Sequence, residues 1–309
     1  MNTDDTLKRS AHKNICAQKY VTTDMAIEQI TDAQEGITVS ESERNGFHIH
    51  HLTVDRPCGE ISIPGRYITL TLGRPWLQHA EMTCRAAETV SEIIRELCPA
   101  TSDGNSKNGI ESILTVCLGN RKVTADAVGP LCSDGLIATR HLKAERTDLW
   151  RELGSVDISA LTPGVSGETG MEAYELVSAA AEATRAQLII TVDALSARDT
   201  ERLGTSVQIT DSGIAPGSGV GNRRTELSSR TLGVPVISIG VPTVAHSATL
   251  IRDALEKAEI NLNSPSLEAA LSVGRSFFVT ARDTDAAVAS MADIISRAVN
   301  LTFLGFQKL

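Results

Sequence analysis

Three short apolar runs constrain this chain more than any other feature: ILTVCL at 113–118, LIITV at 188–192 and VPVISIGV at 234–241. Runs of this length without polar alternation mark strands covered on both faces, as parallel strands are. Amphipathic helices are predicted between and after them. Val90, Ile93, Ile94 and Leu97 recur at helical spacing over 86–98, and Pro99 stops that helix. Further helices are predicted at 130–138, 247–257 and 285–299, and at 171–185 with Met171, Tyr174, Val177 and Ala181 on one stripe. RYITLTL at 66–72 reads as one more strand. Strands alternating with helices predict an α/β fold: a mostly parallel central sheet with helices on both faces. Turn-rich loops are expected at 101–109 and 162–170. No internal repeat is visible.

Composition narrows the function classes. The chain has 309 residues, enough for two domains or one large one. Aromatics are 3%, which argues against a binder that stacks bases. Net charge is −9, so there is no overall attraction to phosphate or anionic lipid. We therefore expect no direct nucleic-acid partner and no membrane partner. The polar start lacks an apolar signal core, and no apolar stretch reaches membrane-spanning length, so a cytoplasmic protein is expected. Six cysteines (Cys16, Cys58, Cys84, Cys98, Cys117, Cys132) are dispersed without a CxxC pair, and free thiols are expected. Residues 1–28 are polar and unpatterned and read as a flexible arm.

Ligands of open α/β sheets bind beyond the carboxyl ends of the strands. Asp126 follows the first apolar run, and Asp193 follows the second directly. Two carboxylates at one rim can split their pKa values, one activating water while the other donates a proton. The plainer alternative makes both of them caps: Asp126 ahead of a helix, Asp193 at a strand-to-helix turn. QITDSGIAPGSGVGNRR at 208–224 is the most unusual segment. Its glycines would let backbone amides approach a ligand, which marks Asp211, Gly213, Gly217, Ser218, Gly219, Gly221 and Asn222 as candidate substrate-binding positions. It matches neither the dinucleotide fingerprint nor a phosphate loop, and a surface loop without a role is the alternative. His246 is placed at the same rim by topology. His48 and His50 share a strand face in FHIHH beside His51, but no Cys or Glu at matching spacing completes a metal set. There is no GxSxG elbow and no HExxH.

With these segments in view, the chain resembles the germination proteases of spore-forming bacteria, endopeptidases that degrade small acid-soluble spore proteins. TSVQITDSGIAPGSGVGNRRTELSSRTLGVPVISIGVPTV at 205–244 carries the resemblance most specifically. VCLGNRKVTADAVGPLCSDGLIATRHL (116–142), IITVDALSARDTERL (189–203), TDMAIE (23–28) and FFVTARDTD (277–285) extend it. The resemblance implies a fold akin to the hydrogenase maturation proteases. It also implies an essential aspartate pair, which by motif falls on Asp126 and Asp193. It implies a zymogen that processes itself between Asp24 and Met25, dividing the chain into a propeptide-like arm (1–24) and a single peptidase domain (25–309). It further implies small acid-soluble spore proteins as substrate, a homo-oligomer (a homotetramer in the family) and a place in the forespore or spore core. No cofactor is expected, although a divalent metal at Asp126 and Asp193 stays open. Asp193, emerging from a buried strand, is the expected base, and Asp126 the acid or electrostatic partner. Ala245-His246 departs from the family pattern, which has an aspartate there, and GNRKVTADAVGP from the commoner GNWNVTPDALGP. A maturation-type protease trimming a metalloenzyme precursor and an inactive binding homologue are the rival readings.

Overall fold

The computed structural model describes residues 23–30, 35–57, 61, 63–99, 110–217, 224–260, 264–274 and 277–304. Nine strands form one sheet among them: β1 (Ile37–Arg44), β2 (Phe47–Val54), β3 (Gly65–Thr71), β4 (Ser112–Cys117), β5 (Asp157–Leu161), β6 (Leu188–Ser196), β7 (Ser206–Thr210), β8 (Val236–His246) and β9 (Phe278–Thr280). Their order is β1-β2-β3-β7-β8-β6-β4-β5, with β9 paired to β8.

All three apolar runs lie in the parallel part, where β8, β6, β4 and β5 pair side by side. The other pairings are antiparallel. The sheet is therefore mixed rather than mostly parallel. The antiparallel half has a physical cause in the sequence. Asn45 and Gly46, both at positive φ, make a tight two-residue turn that folds β2 back on β1. Solvent on one side of these strands leaves FHIHHLTV only partly apolar, and SESER in β1 is almost wholly exposed. Such strands carry no continuous apolar run.

Helices cover both faces, as expected. The longer ones are α1 (Ala80–Leu97), α2 (Val128–Gly135), α3 (Ala173–Thr184), α4 (Ser247–Lys257), α5 (Pro265–Gly274) and α6 (Thr284–Leu304). On one face α1, α2 and α6 pack against Ile113, Ile190, Val192, Ile237 and Ile239. On the other, α3 sets Val177 and Ala181 against Leu114, Val116 and Ile189. Alternate residues of β4 and β6 thus feed opposite cores, which is why each carries a run without polar alternation. Met171 precedes α3 and is exposed, outside the stripe expected of it. α6 is long and apolar enough to cross a membrane, but most of it is buried inside the protein. It is a core helix. α1 begins at Ala80, ahead of the expected start, because its first turns face solvent and show no apolar period. The loop expected at 101–109 lies outside the described residues. The one at 162–170 contains a short helix, Ser166–Thr169.

Candidate active site

β4 ends at Cys117 while its neighbour β6 runs on to Ser196. Beyond that point the β4 side of β6 is open, and the chain leaving β4 folds back toward it. Leu118 still donates its amide to the Val192 carbonyl at 2.8 Å. Gly119 then turns at φ +111, where a Cβ would lie 2.1 Å from the Asp126 carbonyl oxygen. The return ends in a 3-10 turn, Thr124–Asp126. Asn120 donates its amide to Asp126 Oδ2 at 2.8 Å. The N-cap of α2 is Ala127 rather than Asp126; the Asp126 carboxylate closes the 119–126 loop and faces a cleft.

Asp193 lies within β6 rather than after it, in register with Gly240 of β8. It is a strand residue, not a turn cap. Its carboxylate is held locally: the Ala194 amide donates to Oδ1 at 2.9 Å. Asp193 and Asp126 both line a cavity of about 440 Å³ with Asp24, Ile214, Pro216 and Arg224 among its walls.

Electrostatics separates the two carboxyls. Burial pushes Asp193 well above the ordinary carboxylate range, and the charges of Asp126 and Asp24 push it further. Asp126 is also raised by burial, but the Asn120 amide and the Arg224 guanidinium oppose that rise. Asp126 therefore ionises first and Asp193 holds its proton longer.

A third carboxylate enters the cleft from the N-terminal segment. Asp24 donates its amide to the Ser196 carbonyl at 2.9 Å, and the Ser196 amide donates to Asp24 Oδ2 at 2.9 Å. Met25 is fully buried among Leu195, Ala197, Leu203 and Ala245. Gln208 spans the bond between them: its Nε2 donates to the Asp24 carbonyl at 3.1 Å, and its Oε1 accepts from the Ala26 amide at 2.7 Å. Gln208, Gly240 and Asp193 form one row across β7, β8 and β6. Glu28 anchors the segment's far end, accepting from the amides of Arg198 and Asp199. Residues 23–30 are thus a docked part of the fold rather than loose arm.

The other candidates separate. Gly217 lines the cleft at φ +75. Ser218, Gly219, Gly221 and Asn222 lie outside the described residues. Asp211 does not line the cleft; it holds Arg66, accepting from its amide and its Nε at 2.7 Å each. Gly213 is needed for packing, since a Cβ there would meet the Leu227 carbonyl oxygen at 2.3 Å. His246 is buried at the end of β8 with its ring on Phe278, a cleft residue, at 4.5 Å between centroids. His48, His50 and His51 stand on β2, away from the cleft. Cys84, Cys98, Cys117 and Cys132 are free thiols, and Cys16 and Cys58 lie outside the described residues. Gln208 and Arg224 gave no sequence signal of their own, although both border the glycine-rich segment.

The comparisons decide the family. The germination protease family model matches residues 14–259. The chain belongs to the germination protease family. A germination protease of Caldanaerobacter subterraneus subsp. tengcongensis is 34% identical over 311 residues, covering 91% of this chain and 93% of that one. One of Bacillus cereus is 38% identical over 254 residues, covering 77% and 67%. Membership in the germination protease family makes the chain a peptidase, a spore protease. Among solved structures, a [NiFe] hydrogenase maturation protease from Thermococcus kodakarensis matches at 18% identity and TM-score 0.32, covering 49% of this chain and 80% of that one. The α/β architecture rests on this chain's own sheet.

Proposed function

We propose that this chain is an endopeptidase that starts the breakdown of small acid-soluble, DNA-binding spore proteins at germination, with Asp126 and Asp193 acting as a carboxylate pair on water. One observation carries the reading: two carboxyls from different loops and strands line one cleft, both raised by burial, the deeper raised further by the other. Paired carboxyls pushed apart in this way divide acid and base between them. The division is the reverse of the sequence expectation. Ionised Asp126 takes a proton from water as its oxygen attacks the scissile carbonyl carbon. Protonated Asp193 gives its proton to the amide as the C–N bond breaks. The pair returns to its starting state by passing one proton back, and it titrates as a unit.

In the metal-assisted version, Asp126 and Asp193 would hold a hard divalent cation through carboxylate oxygens in the cleft they both line, and it would supply Lewis-acid help at the carbonyl. A homo-oligomer in the spore core is the assembly and place that go with this reading.

We also propose that the Asp24–Met25 bond is the processing site. Its support is that Asp24 already lies beside the pair and that Gln208 grips both sides of the bond.

The test is incubation of the purified protein with a small acid-soluble spore protein, with and without a chelator, beside Asp126→Asn and Asp193→Asn. Site-specific cleavage that survives chelation and fails in both variants supports the metal-free pair. Cleavage abolished by the chelator and restored by a divalent cation supports the metal-assisted one. No cleavage by a processed form favours an inactive binding homologue, and selective trimming of a metalloenzyme precursor would favour the maturation-type rival.

A further inference from the structure

Away from the cleft, the β1–β2 hairpin brings a glutamate and two histidines to one face of the sheet. Glu41 on β1 is in register with His50 on β2. His48, two residues back along β2, points to the same side. Glu41 Oε1 lies 3.2 Å from His50 Nδ1, and Oε2 lies 3.3 Å from His48 Nε2. The two imidazoles meet nearly edge to face at 4.4 Å between centroids. One ligand atom from each of the three residues falls within 4.8 Å of the others.

These spacings fit coordination. Four ligands about 2.0–2.1 Å from a tetrahedral zinc are separated from one another by roughly 3.3–3.4 Å. Both Glu–His contacts are close to that length, each to a different oxygen of the Glu41 carboxylate. Two imidazoles and a carboxylate suit first-row transition ions. Adjacent paired strands hold the three side chains on a common frame. His51 faces the other side, 2.8 Å from Ser42 Oγ, and takes no part. Arg202, the cation whose charge reaches His50, is itself paired with Glu28 at 3.2 Å.

We propose that Glu41, His48 and His50 form a site for a divalent transition-metal ion of the zinc class, with its remaining coordination open to water. The glutamate that completes the set comes from across the hairpin turn, so spacing along β2 does not reveal it. A bound ion would clip the exposed edge strand β1 to β2.

The probe is Co²⁺ added to the full chain, read by its visible d–d absorption and by competition with Zn²⁺. One equivalent bound in a tetrahedral or five-coordinate spectrum, displaced by Zn²⁺, is the expected result. Glu41→Gln and the double variant His48→Ala/His50→Ala should each weaken binding by more than the roughly 10–100-fold that loss of an outer-shell partner costs. The Asp126→Asn/Asp193→Asn double variant should bind as the wild type does, which separates this site from the cleft. Glu41 is largely exposed, so Glu41→Gln tests the site without disturbing the core. No Co²⁺ spectrum in the wild type, or an undiminished one in Glu41→Gln or in the His48→Ala/His50→Ala variant, would overturn the assignment.

Discussion

Asp24 and Ser196 hold each other twice, once amide to carbonyl and once amide to carboxylate, both at 2.9 Å. Ser196 belongs to the same strand as Asp193. The bond proposed for processing is therefore tied alongside the strand that carries one of the two carboxyls. Met25 is buried beneath it, so the cleft of a second molecule could reach this bond only after the segment undocks.

Processing should then be intramolecular. Protein held at mildly acidic pH, where protonation relieves repulsion among Asp24, Asp126 and Asp193, is expected to gain a new N-terminus at Met25. The fraction converted per unit time should not depend on protein concentration. Asp193→Asn should stay intact even when mixed with active wild type. Cleavage of that inactive chain in the mixture would show processing in trans, and full activity from an uncut chain would remove the zymogen altogether.

Asp126→Asn and Asp193→Asn should each reduce peptide hydrolysis by about 10²–10⁴-fold, the usual worth of a general acid or base, while circular dichroism shows the fold retained. Wild-type activity should fall on the acid side as Asp126 gains a proton and on the alkaline side as Asp193 loses one. Near wild-type cleavage by either variant would leave that residue a purely structural one.

The parallel half of the fold was legible because both faces of β4, β6 and β8 are buried and each carries an apolar run. The antiparallel half was not, since β1 and β2 are wet on at least one side and their pattern dilutes into charge. Asp126 and Asp193 could be found from strand ends and from motif, though Asp193 sits inside a strand that continues past its apolar run as Asp-Ala-Leu-Ser. What sequence could not supply is convergence across distance. Gln208 meets Asp24 and Ala26 from more than 180 residues away, and Glu41 reaches His48 and His50 only through strand register. The order of the two carboxyl pKa values was likewise hidden, because it depends on Asn120, Arg224 and Asp24.

Gly119→Ala tests how the loop sets Asp126. The added Cβ would lie 2.1 Å from the Asp126 carbonyl oxygen and 3.2 Å from its Oδ1, at a backbone φ of +111 that side chains rarely adopt. The loop must open, at a cost of about 1–3 kcal/mol for the strained backbone, and Asp126 moves with it. Activity should drop nearly as far as in Asp126→Asn, with a lowered melting temperature that Asp126→Asn does not share. Wild-type activity in Gly119→Ala would mean that Asp126 needs no fixed position.

The raised pKa of Asp193 also predicts how stability follows pH. An unfolded aspartate titrates near 3.8, and folded Asp193 keeps its proton to much higher pH. Between those two values the native state binds one more proton than the unfolded state, so raising the pH favours unfolding, by up to about 1.4 kcal/mol per pH unit. The contribution is fully present below the unfolded value and lost as pH rises through this window. Asn at 193 is neutral at every pH and escapes the penalty. Asp193→Asn and wild type should therefore differ least near pH 4, and the variant should gain on the wild type steadily toward neutral pH and above. The gap should level off once Asp193 ionises in the folded protein. Comparing the two chains by denaturant unfolding across that range cancels the titration of groups they share. A stability difference that stays constant with pH would mean that folded Asp193 ionises like an ordinary aspartate and cannot be the proton donor.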